Sequence, residues 1–281
     1  MNKTLQIGKI NTLEIDRITD PGLYLVCEEG EEDVLLPNAY VTDEMKPGDE
    51  IKVFIYTDSE DRLIATTLKP KAMLDEFAYM EVVDVASFGA FLDWGLPKDL
   101  FVPRSFQKIK LEVGMKFVFR VCLDEETGRL IGAHKFKKFI RNDIEGLETN
   151  QQVHIIIREK TPLGFKVIVN NLYEAMIYHN EIFEDIWIGQ KKIAYVKNIR
   201  SDRKLDISLQ PIGKSNADTA SSRVEKILKE NGGNLEFNYK SSPKAIKDRF
   251  GLSKKNYKRA LTSLIKDEII TVNESGMCLK D

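Results

Sequence analysis

Short apolar runs of the kind that form β-strands fill the chain from its start to about Leu209. The runs are rich in β-branched and aromatic residues, are separated by Gly, Asp and Asn, and include residues 51–56, 117–121, 153–157 and 165–169. Apolar residues at helical spacing are rare in this part of the chain. The pattern therefore predicts a mainly β structure up to Leu209.

The strand pattern occurs three times. Residues 35–38 match residues 101–104, which lie 66 positions further along the chain. Residues 47–48 match residues 113–114 at the same spacing. A third copy follows at a further spacing of 75, where Gly164 matches Gly89 and Tyr178 matches Pro103. A charged connector at residues 136–150 takes up the additional length. Because a repeated unit sets the domain count, three small domains are predicted here.

The copies share one plan. Each has about five strands, a glycine in the second strand, a short irregular segment after the third and a glycine before the fourth. This is the plan of a five-stranded Greek-key barrel of the OB type, whose central strands and loops bind oligonucleotides. We predict such barrels at residues 1–70, 71–145 and 146–212.

Two phenylalanines, Phe88 and Phe91, flank the glycine of the second copy in the sequence S-F-G-A-F-L-D at residues 87–93. Glycine inside a strand usually marks a bulge or a bend, so rings three residues apart can share one face. Such rings either form a platform for stacked bases or belong to the core. The glycine recurs as Gly22 and Gly164 while its aromatic neighbours change, which favours an exposed platform, chiefly in the second barrel.

The F-G-A-F sequence, the later glycine and a final hairpin ending in R-L-I or K-L-D-I-S-L together resemble the S1-type RNA-binding domain. The resemblance implies that single-stranded RNA contacts the two aromatics, a histidine after the third strand and a basic residue on the fourth strand. The corresponding residues of the second copy are Phe88, Phe91, Pro103 and Arg120. Arg104, beside Pro103, is expected to replace the missing histidine.

The third copy departs from the S1 pattern. It has Leu163 and Lys166 in place of the aromatics, and Tyr195 in place of the basic residue on the fourth strand. Tyr178 occupies the histidine position, with His179 next to it. We expect an altered RNA-binding barrel that uses Lys166, Tyr178 and His179.

The first copy departs further. Its residues at the four positions are Pro21, Tyr24, Asn38 and Phe54. Residues 1–70 contain 7 basic and 15 acidic side chains, a net charge of −8, with an acidic run at residues 28–33. RNA binding depends on Lys and Arg displacing counterions from phosphates, which this charge opposes. The first barrel is therefore predicted to be structural or to face a protein partner.

Beyond Leu209 the apolar spacing becomes helical. Residues 211–218 are a predicted polar linker, and Ser221 or Ser222 suits the N-cap of a helix that ends near residues 231–233. A second helix is predicted at residues 243–250, with proline in its first turn. A third, capped by Ser253, has the apolar positions Tyr257, Leu261, Leu264 and Ile265.

A hairpin follows these helices, with strands at residues 269–272 and 277–279 around a turn. This order is that of a winged helix, in which the third helix faces the nucleic acid. We predict a winged helix at residues 219–281, which hold 13 basic and 8 acidic side chains. The excess of positive charge favours an anionic partner, although a basic helix is often only a solvated face. Candidate contacts on the third helix are Lys254, Lys255, Tyr257, Lys258 and Arg259.

Three S1-type domains followed by a winged helix, at this length and in this order, resemble the conserved virulence factor B family of bacteria. The resemblance covers essentially the whole chain. It implies a cytoplasmic RNA-binding protein that regulates gene expression after transcription. It also implies that single-stranded RNA is the main partner, with duplex nucleic acid as a further partner of the winged helix.

Enzymatic activity is not expected. The three histidines, His134, His154 and His179, are scattered, with no carboxylate or cysteine at ligand spacing, so neither a metal nor another cofactor is predicted. The sequence contains no phosphate-binding loop and no nucleophile elbow. Two alternatives stay open. One is a DNA-binding transcription regulator whose barrels bind a protein, and the other is a scaffold that contacts no RNA.

The cysteines and the absence of long apolar runs bear on the compartment. Cys27, Cys122 and Cys278 are far apart and lie among apolar residues, so we expect buried free thiols in a reducing compartment. No leader sequence and no apolar run of about 18 residues is present, so no membrane partner is predicted. These features favour a cytoplasmic location.

Overall fold

The computed structural model describes residues 5–26, 33–182, 184–211 and 214–280. The chain forms two compact units, Met1–Ile140 and Arg141–Asp281. The first unit contains two barrels, and the second contains a third barrel followed by a domain of helices and a small sheet. The predicted fold class, three five-stranded barrels and then a small α+β domain, is confirmed.

The first barrel has the strands β1 (Ile10–Thr19), β2 (Gly22–Val26), β3 (Val34–Pro37), β4 (Glu50–Thr57) and β5 (Leu63–Thr66). It closes in the order β1-β2-β3-β5-β4, and every neighbouring pair is antiparallel except β3 and β5. Alternate strand residues point inward, and the core includes Leu13, Ile15, Leu23, Leu25 and Val53. A turn of 3-10 helix, Asn38–Tyr40, follows β3.

The second barrel has the strands β6 (Phe77–Ala86), β7 (Gly89–Asp93), β8 (Leu100–Pro103), β9 (Lys116–Leu123) and β10 (Leu130–Ala133). Its sheet runs in the order β10-β9-β6-β7-β8, and the end strands β10 and β8 lie next to each other. Gly132 permits this approach, because a Cβ atom there would lie 2.9 Å from Val102 Cγ2. Single turns of 3-10 helix follow β8 and β10, at Arg104–Phe106 and Lys137–Phe139.

The third barrel repeats the plan of the first. Its strands are β11 (Gln152–Thr161), β12 (Gly164–Val169), β13 (Tyr173–Tyr178), β14 (Lys191–Ile199) and β15 (Leu205–Ser208). It closes in the order β11-β12-β13-β15-β14, and a 3-10 turn, His179–Glu181, follows β13. The strands of all three barrels fall inside the predicted segments, although the predicted domain limits themselves stay predictions.

The repeated glycine has a structural reason that differs from the predicted bend. Gly22, Gly89 and Gly164 are the first residues of β2, β7 and β12, where the next strand approaches closely. A Cβ atom on Gly22 would lie 2.0 Å from the carbonyl oxygen of Leu36, and one on Gly164 would lie 2.0 Å from that of Ile177. No side chain fits in that space, so the position requires glycine.

The expected bulges lie on the preceding strands. The register of the first strand shifts between Ile15 and Arg17, and the same shift recurs after Val82 and after Ile157. One residue is therefore left unpaired at the same place in each barrel, which increases the local twist. The prediction that the glycine itself marks the bulge is wrong.

The two barrels of the first unit share part of their core. Phe54 and Tyr56 of β4 pack against Trp94, with ring centroids 5.8 and 6.3 Å from the indole. Lys98 Nζ donates a hydrogen bond to the carbonyl oxygen of Thr57 at 3.0 Å. Because one buried cluster contains apolar residues of both barrels, the first unit is held together by hydrophobic packing.

The C-terminal domain has three helices and a small sheet. Its elements are α1 (Lys214–Glu230), β16 (Asn234–Leu235), α2 (Pro243–Phe250), α3 (Lys254–Lys266), β17 (Ile270–Val272) and β18 (Met277–Leu279). The sheet runs in the order β16-β18-β17. Ser253 Oγ accepts the backbone N–H of Asn256, so the predicted cap of the third helix is confirmed. No helix in the described part of the chain is long and apolar enough to span a membrane.

Two predictions for this domain are wrong. The first helix begins at Lys214, inside the predicted linker, and Ser221 is a buried residue of the helix rather than its cap. No proline or glycine interrupts residues 214–231, so polar composition alone does not prevent a helix. Ile265, predicted as a core position of α3, is 40% exposed.

The cysteines match the expectation in part. Cys122 is a buried free thiol whose pKa is raised to about 11 by burial. Cys278 is also a free thiol but is only half-buried. Cys27 and most of the acidic run at residues 28–33 lie outside the described residues.

Candidate nucleic-acid interface

Three phenylalanine rings form a cluster on the surface of the second barrel. Phe88 is 62% exposed, while Phe91 and Phe101 are half-buried partners on β7 and β8. The ring centroid of Phe88 lies 6.2 Å from that of Phe91 and 5.6 Å from that of Phe101. The structure therefore places Phe88 outside the core, with two rings supporting it. We call Phe88, Phe91 and Phe101 the aromatic platform.

Sequence reasoning missed the third ring. The signal for it was the repeat match that placed residues 101–104 on the strand next to Phe91. Residues directly opposite each other on antiparallel strands share a face, and Phe91 is paired with Phe101. The centroids of these two rings are 5.4 Å apart.

Arg104 lies beside the most exposed ring. Its backbone N–H donates to the carbonyl oxygen of Phe88 at 3.2 Å, and its side chain is exposed. The same backbone bond recurs from Asn38 to Pro21 in the first barrel, at 3.1 Å. The backbone of the residue after the third strand is thus fixed next to the platform position, and in the second barrel that residue is an exposed arginine.

The opposite side of the platform is acidic. Asp84 lies directly across from Phe91 on β6, and Asp93 ends β7. Burial raises the pKa of the nearby Asp99 carboxyl, and the charges of Asp93 and Asp84 raise it further. Asp84 therefore disfavours a phosphate group on the β6 side of the rings, whereas Asp93 is paired with Lys71 at 2.6 Å.

The equivalent surface of the first barrel is closed to a base. The guanidinium carbon of Arg17 lies 4.4 Å from the ring centroid of Tyr24, the counterpart of Phe91. Arg17 in turn forms salt bridges with Asp16 and Asp33 at 2.5 and 2.6 Å. The tyrosine ring is covered and its surroundings are negative.

The third barrel keeps part of the arrangement. Leu163, at the position of Phe88, is 65% exposed. Lys166 is half-buried, and its Nζ lies 3.7 Å from the carboxylate of Glu159. In this barrel, an exposed apolar side chain and a cation therefore occupy the positions that Phe88 and Phe91 have in the second barrel.

Tyr178 and His179 occupy the end of β13 and the following turn. The Tyr178 hydroxyl accepts a hydrogen bond from Arg200, which also pairs with Asp206 at 2.9 Å. His179 is exposed, and its ring centroid lies 6.2 Å from that of Phe165. Of the two predicted contacts, His179 is the more accessible.

Arg120 does not lie where the resemblance placed it. It is only 7% exposed, and it forms a salt bridge with Asp75 at 2.7 Å. Its guanidinium carbon lies 5.6 Å from the ring centroid of Phe77 and 4.7 Å from that of Phe139. Because aromatic rings and a carboxylate surround it, Arg120 stabilises the barrel and is not available to a phosphate.

The equivalents of Arg120 also make structural contacts. Phe54, Arg120 and Tyr195 occupy the same position in their barrels. Each lies on the fourth strand and pairs with the first residue of the first strand, which is Ile10, Phe77 and Gln152, respectively. Phe54 packs against Trp94 of the second barrel. Tyr195 lines a cleft between the third barrel and the helical domain. This position contacts a later segment in the first two barrels, and in the third barrel it lines a cleft together with a later segment.

Tyr257 was a predicted contact on α3, and this prediction is wrong. The side chain is fully buried, and its ring stacks on Phe250 with a centroid distance of 5.1 Å. Burial raises the pKa of its hydroxyl, which points to Met277 Sδ at 3.9 Å. The spacing of Tyr257 with Leu261 and Leu264 indicated a core position, and the structure confirms that reading.

The other predicted contacts on α3 face outward. Lys255, Lys258 and Arg259 are exposed and Lys254 is half-buried. In the described part of the chain, no carboxylate forms a salt bridge with any of them. This helix therefore presents cations that the protein itself does not neutralise.

Comparison with known proteins identifies both kinds of domain. An S1 domain model matches residues 7–68, which form the first barrel. A CvfB-like winged helix domain model matches residues 222–279. Both are nucleic-acid-binding types of domain, which supports binding of nucleic acid by this chain.

Similar proteins extend the match over the chain. "Uncharacterized protein YitL" of Bacillus subtilis is 29% identical over 277 residues, covering 94% of this chain and 90% of that protein. Conserved virulence factor B of Staphylococcus saprophyticus is 26% identical over 280 residues, covering 96% and 93%. The protein of the same name in Staphylococcus aureus is 25% identical over 283 residues, covering 97% and 94%.

A crystal structure of a multidomain protein with nucleic acid binding domains from Streptococcus pneumoniae is 26% identical to this chain, with a TM-score of 0.42. The match covers 98% of both chains. The resemblance read from the sequence is confirmed by the domain models and the curated relatives together. The chain is thus a relative, over nearly its whole length, of the conserved virulence factor B proteins.

Proposed function

We propose that this protein is a non-catalytic RNA-binding protein and that it regulates gene expression after transcription. Single-stranded RNA is held by the second and third barrels and by the basic face of the winged helix. The observation that carries the proposal is the exposed aromatic platform beside Arg104 in the second barrel. Its proposed contacts are Phe88, Phe91, Phe101 and Arg104.

The chemistry of the platform favours an unpaired strand. Bases of a single strand are free to stack on protein rings, whereas the bases of a duplex are already stacked on each other. Stacking accepts every base, so the sequence preference of the protein is expected to be modest. An S1 domain model matches the first barrel, and the second barrel repeats its strand plan, which supports nucleic acid as the ligand of this type of barrel.

The other modules extend the proposed contact surface. Lys166, Tyr178 and His179 provide polar contacts on the third barrel. The winged helix contributes cations that attract phosphates and make the affinity depend on salt, and these are Lys254, Lys255, Lys258 and Arg259. The acidic first barrel is proposed to be structural or to face a protein partner.

The test is a salt titration of binding with fluorescently labelled oligonucleotides. We expect the full chain to bind single-stranded RNA more tightly than duplex DNA of equal length. Phe88→Ala should weaken RNA binding by about 1 to 3 kcal/mol, since one stacking ring is lost. Val113→Ala is the control, because Val113 lies on the same barrel and is 64% exposed.

A second candidate function rests on the exposed cations of α3. In a winged helix this helix is the element that enters the DNA groove, so the protein would be a transcription regulator whose barrels bind a protein. Tighter binding of duplex DNA, with no effect of Phe88→Ala, would favour this function over the proposed one. A protein that binds no oligonucleotide at low salt would instead be a scaffold.

A further inference from the structure

A group of exposed cations lies beside the aromatic platform on the second barrel. Three of them, Arg104, Lys108 and Lys110, belong to the segment after β8, and the other three follow β10. All six side chains are exposed, and neither residues 104–111 nor residues 133–141 contain an acid. We call these six residues the basic ridge: Arg104, Lys108, Lys110, Lys135, Lys137 and Lys138.

The two segments of the basic ridge are joined by direct contacts. The backbone N–H groups of His134 and Lys135 donate to the carbonyl oxygen of Phe106 at 3.1 and 2.8 Å. Lys135 Nζ donates to the carbonyl oxygen of Ser105 at 3.3 Å. Lys138 Nζ lies 4.8 Å from the ring centroid of Phe106. Segments far apart in the sequence therefore form one surface.

The basic ridge is continuous with the aromatic platform. Phe101 of the platform packs on the same small buried cluster as Phe106 and Phe139, and Lys138 Nζ lies over both of these rings. Arg104 belongs to the ridge and is bonded through its backbone to Phe88. A strand whose bases stack on the rings would therefore have its phosphates next to these cations.

The ridge differs from many other cations of the barrels in how its charges are balanced. Arg62, Lys71 and Lys197, for example, each have a carboxylate within salt-bridge distance. Among the described residues, no carboxylate is that close to any of the six cations of the ridge. Six neighbouring like charges repel one another, so an external polyanion that neutralises them is favoured.

We infer that the basic ridge binds the phosphate backbone of the RNA whose bases stack on the aromatic platform. This inference rests on the proposed function and adds the source of the electrostatic attraction on the second barrel. That attraction comes from segments that follow β8 and β10, whereas Arg120 on β9 contributes to the packing of the barrel. Lys137 and Lys138 belong to a segment that the sequence pattern indicated only as a connector, and Lys135 immediately precedes it.

The test is a full-chain variant with Lys135→Gln, Lys137→Gln and Lys138→Gln. The matched control changes Lys46, Lys52 and Lys69 to Gln, because these lysines of the first barrel are exposed and free of salt bridges among the described residues. Both variants lose the same charge. The quantity measured is the slope of log affinity against log salt concentration for a labelled single-stranded RNA.

Each phosphate contact to a single strand contributes about 0.7 to this slope, so the ridge variant should lower it by up to about 2. The control variant should keep the wild-type slope. A variant with Lys108→Gln and Lys110→Gln, whose side chains lie on the other segment, should lower the slope by about 1. Circular dichroism must show that each variant is folded.

Three outcomes separate this inference from the proposed function. If the ridge variants keep the wild-type slope while Phe88→Ala still weakens binding, the inference fails and the proposed function stands. If the ridge and control variants lower the slope equally, the effect is one of net charge and the inference also fails. If the wild-type chain binds no RNA, the proposed function itself fails.

Discussion

Burial separates the roles of Arg104 and Arg120. Both are arginines that the S1 resemblance placed at an RNA contact, and the sequence offers no reason to treat them differently. The structure leaves Arg104 exposed and surrounds Arg120 with Phe77, Phe139 and Asp75. Phe139 lies outside the repeated strand pattern, so the burial of Arg120 could not be predicted from that pattern.

A matched pair of substitutions tests this difference. Arg120→Met should lower the free energy of unfolding by about 1 to 3 kcal/mol, because contacts with two rings and one salt bridge are lost. The loss is smaller than for a fully buried pair, since the Asp75 side chain is 60% exposed and stays solvated. Urea unfolding measures this loss of stability. In a salt titration of RNA binding, the slope of log affinity against log salt concentration should stay at the wild-type value.

Arg104→Met should behave in the opposite way. An exposed arginine without a salt bridge contributes little to stability, so the unfolding midpoint should not move. RNA binding should weaken, and its slope against salt should fall by about 0.7. If Arg120→Met lowered the salt slope and left the unfolding midpoint unchanged, Arg120 would be the phosphate contact.

At the scale of strands and helices, the repeat was the most informative pattern in the sequence. It matched Gly89 to Gly164 and Pro103 to Tyr178. The strand pairing confirms this match, because Gly89 pairs with Pro103 and Gly164 pairs with Tyr178. The start of α1 at Lys214 was missed, since a polar stretch without apolar spacing gives no helical signal. The bulges on the first strand of each barrel also gave no signal in the sequence, because the unpaired residue is of a different type in each barrel.

The glycine that begins the second strand of each barrel should not tolerate a side chain. Gly164→Ala would place a Cβ atom 2.0 Å from the carbonyl oxygen of Ile177, at a φ of 153°. We expect the strands to separate locally, at a cost of about 1 to 3 kcal/mol measured by urea unfolding. Gly114→Ala is the control for backbone strain alone, because its φ is 86° and no atom lies within 4 Å of its added Cβ, so its loss should be the smaller of the two. Equal losses for the two variants would show that close approach is not the reason for the glycine.

At the scale of the whole molecule, the three barrels are not equivalent repeats. The sequence predicted separate barrels, but Phe54 and Tyr56 of the first are in the same buried cluster as Trp94 of the second. The repeat pattern could not show this, since an apolar residue at a strand position fits the interior of its own barrel equally well. Only the placement of Trp94 after β7 brings these rings together.

Trp94→Ala should therefore destabilise both barrels of the first unit. The indole is 2% exposed and contacts rings of the first barrel, so its removal should cost about 3 to 5 kcal/mol. Hydrogen exchange followed by mass spectrometry should show faster exchange in peptides from both β4 and β7. Trp187→Ala is the control, because Trp187 is 61% exposed. It should change the exchange rate of neither the β4 peptides nor the β7 peptides. Faster exchange limited to the second barrel would mean that the shared core contributes little to the first.

The packing of Phe54 and Tyr56 on Trp94 constrains the order of the first two barrels along the chain. If these barrels were exchanged, Trp94 would move with the second barrel and lose the two rings that pack against it. An indole that is now 2% exposed would become accessible to solvent, which favours aggregation. A chimera with its barrels in a new order would therefore need a polar side chain in place of Trp94.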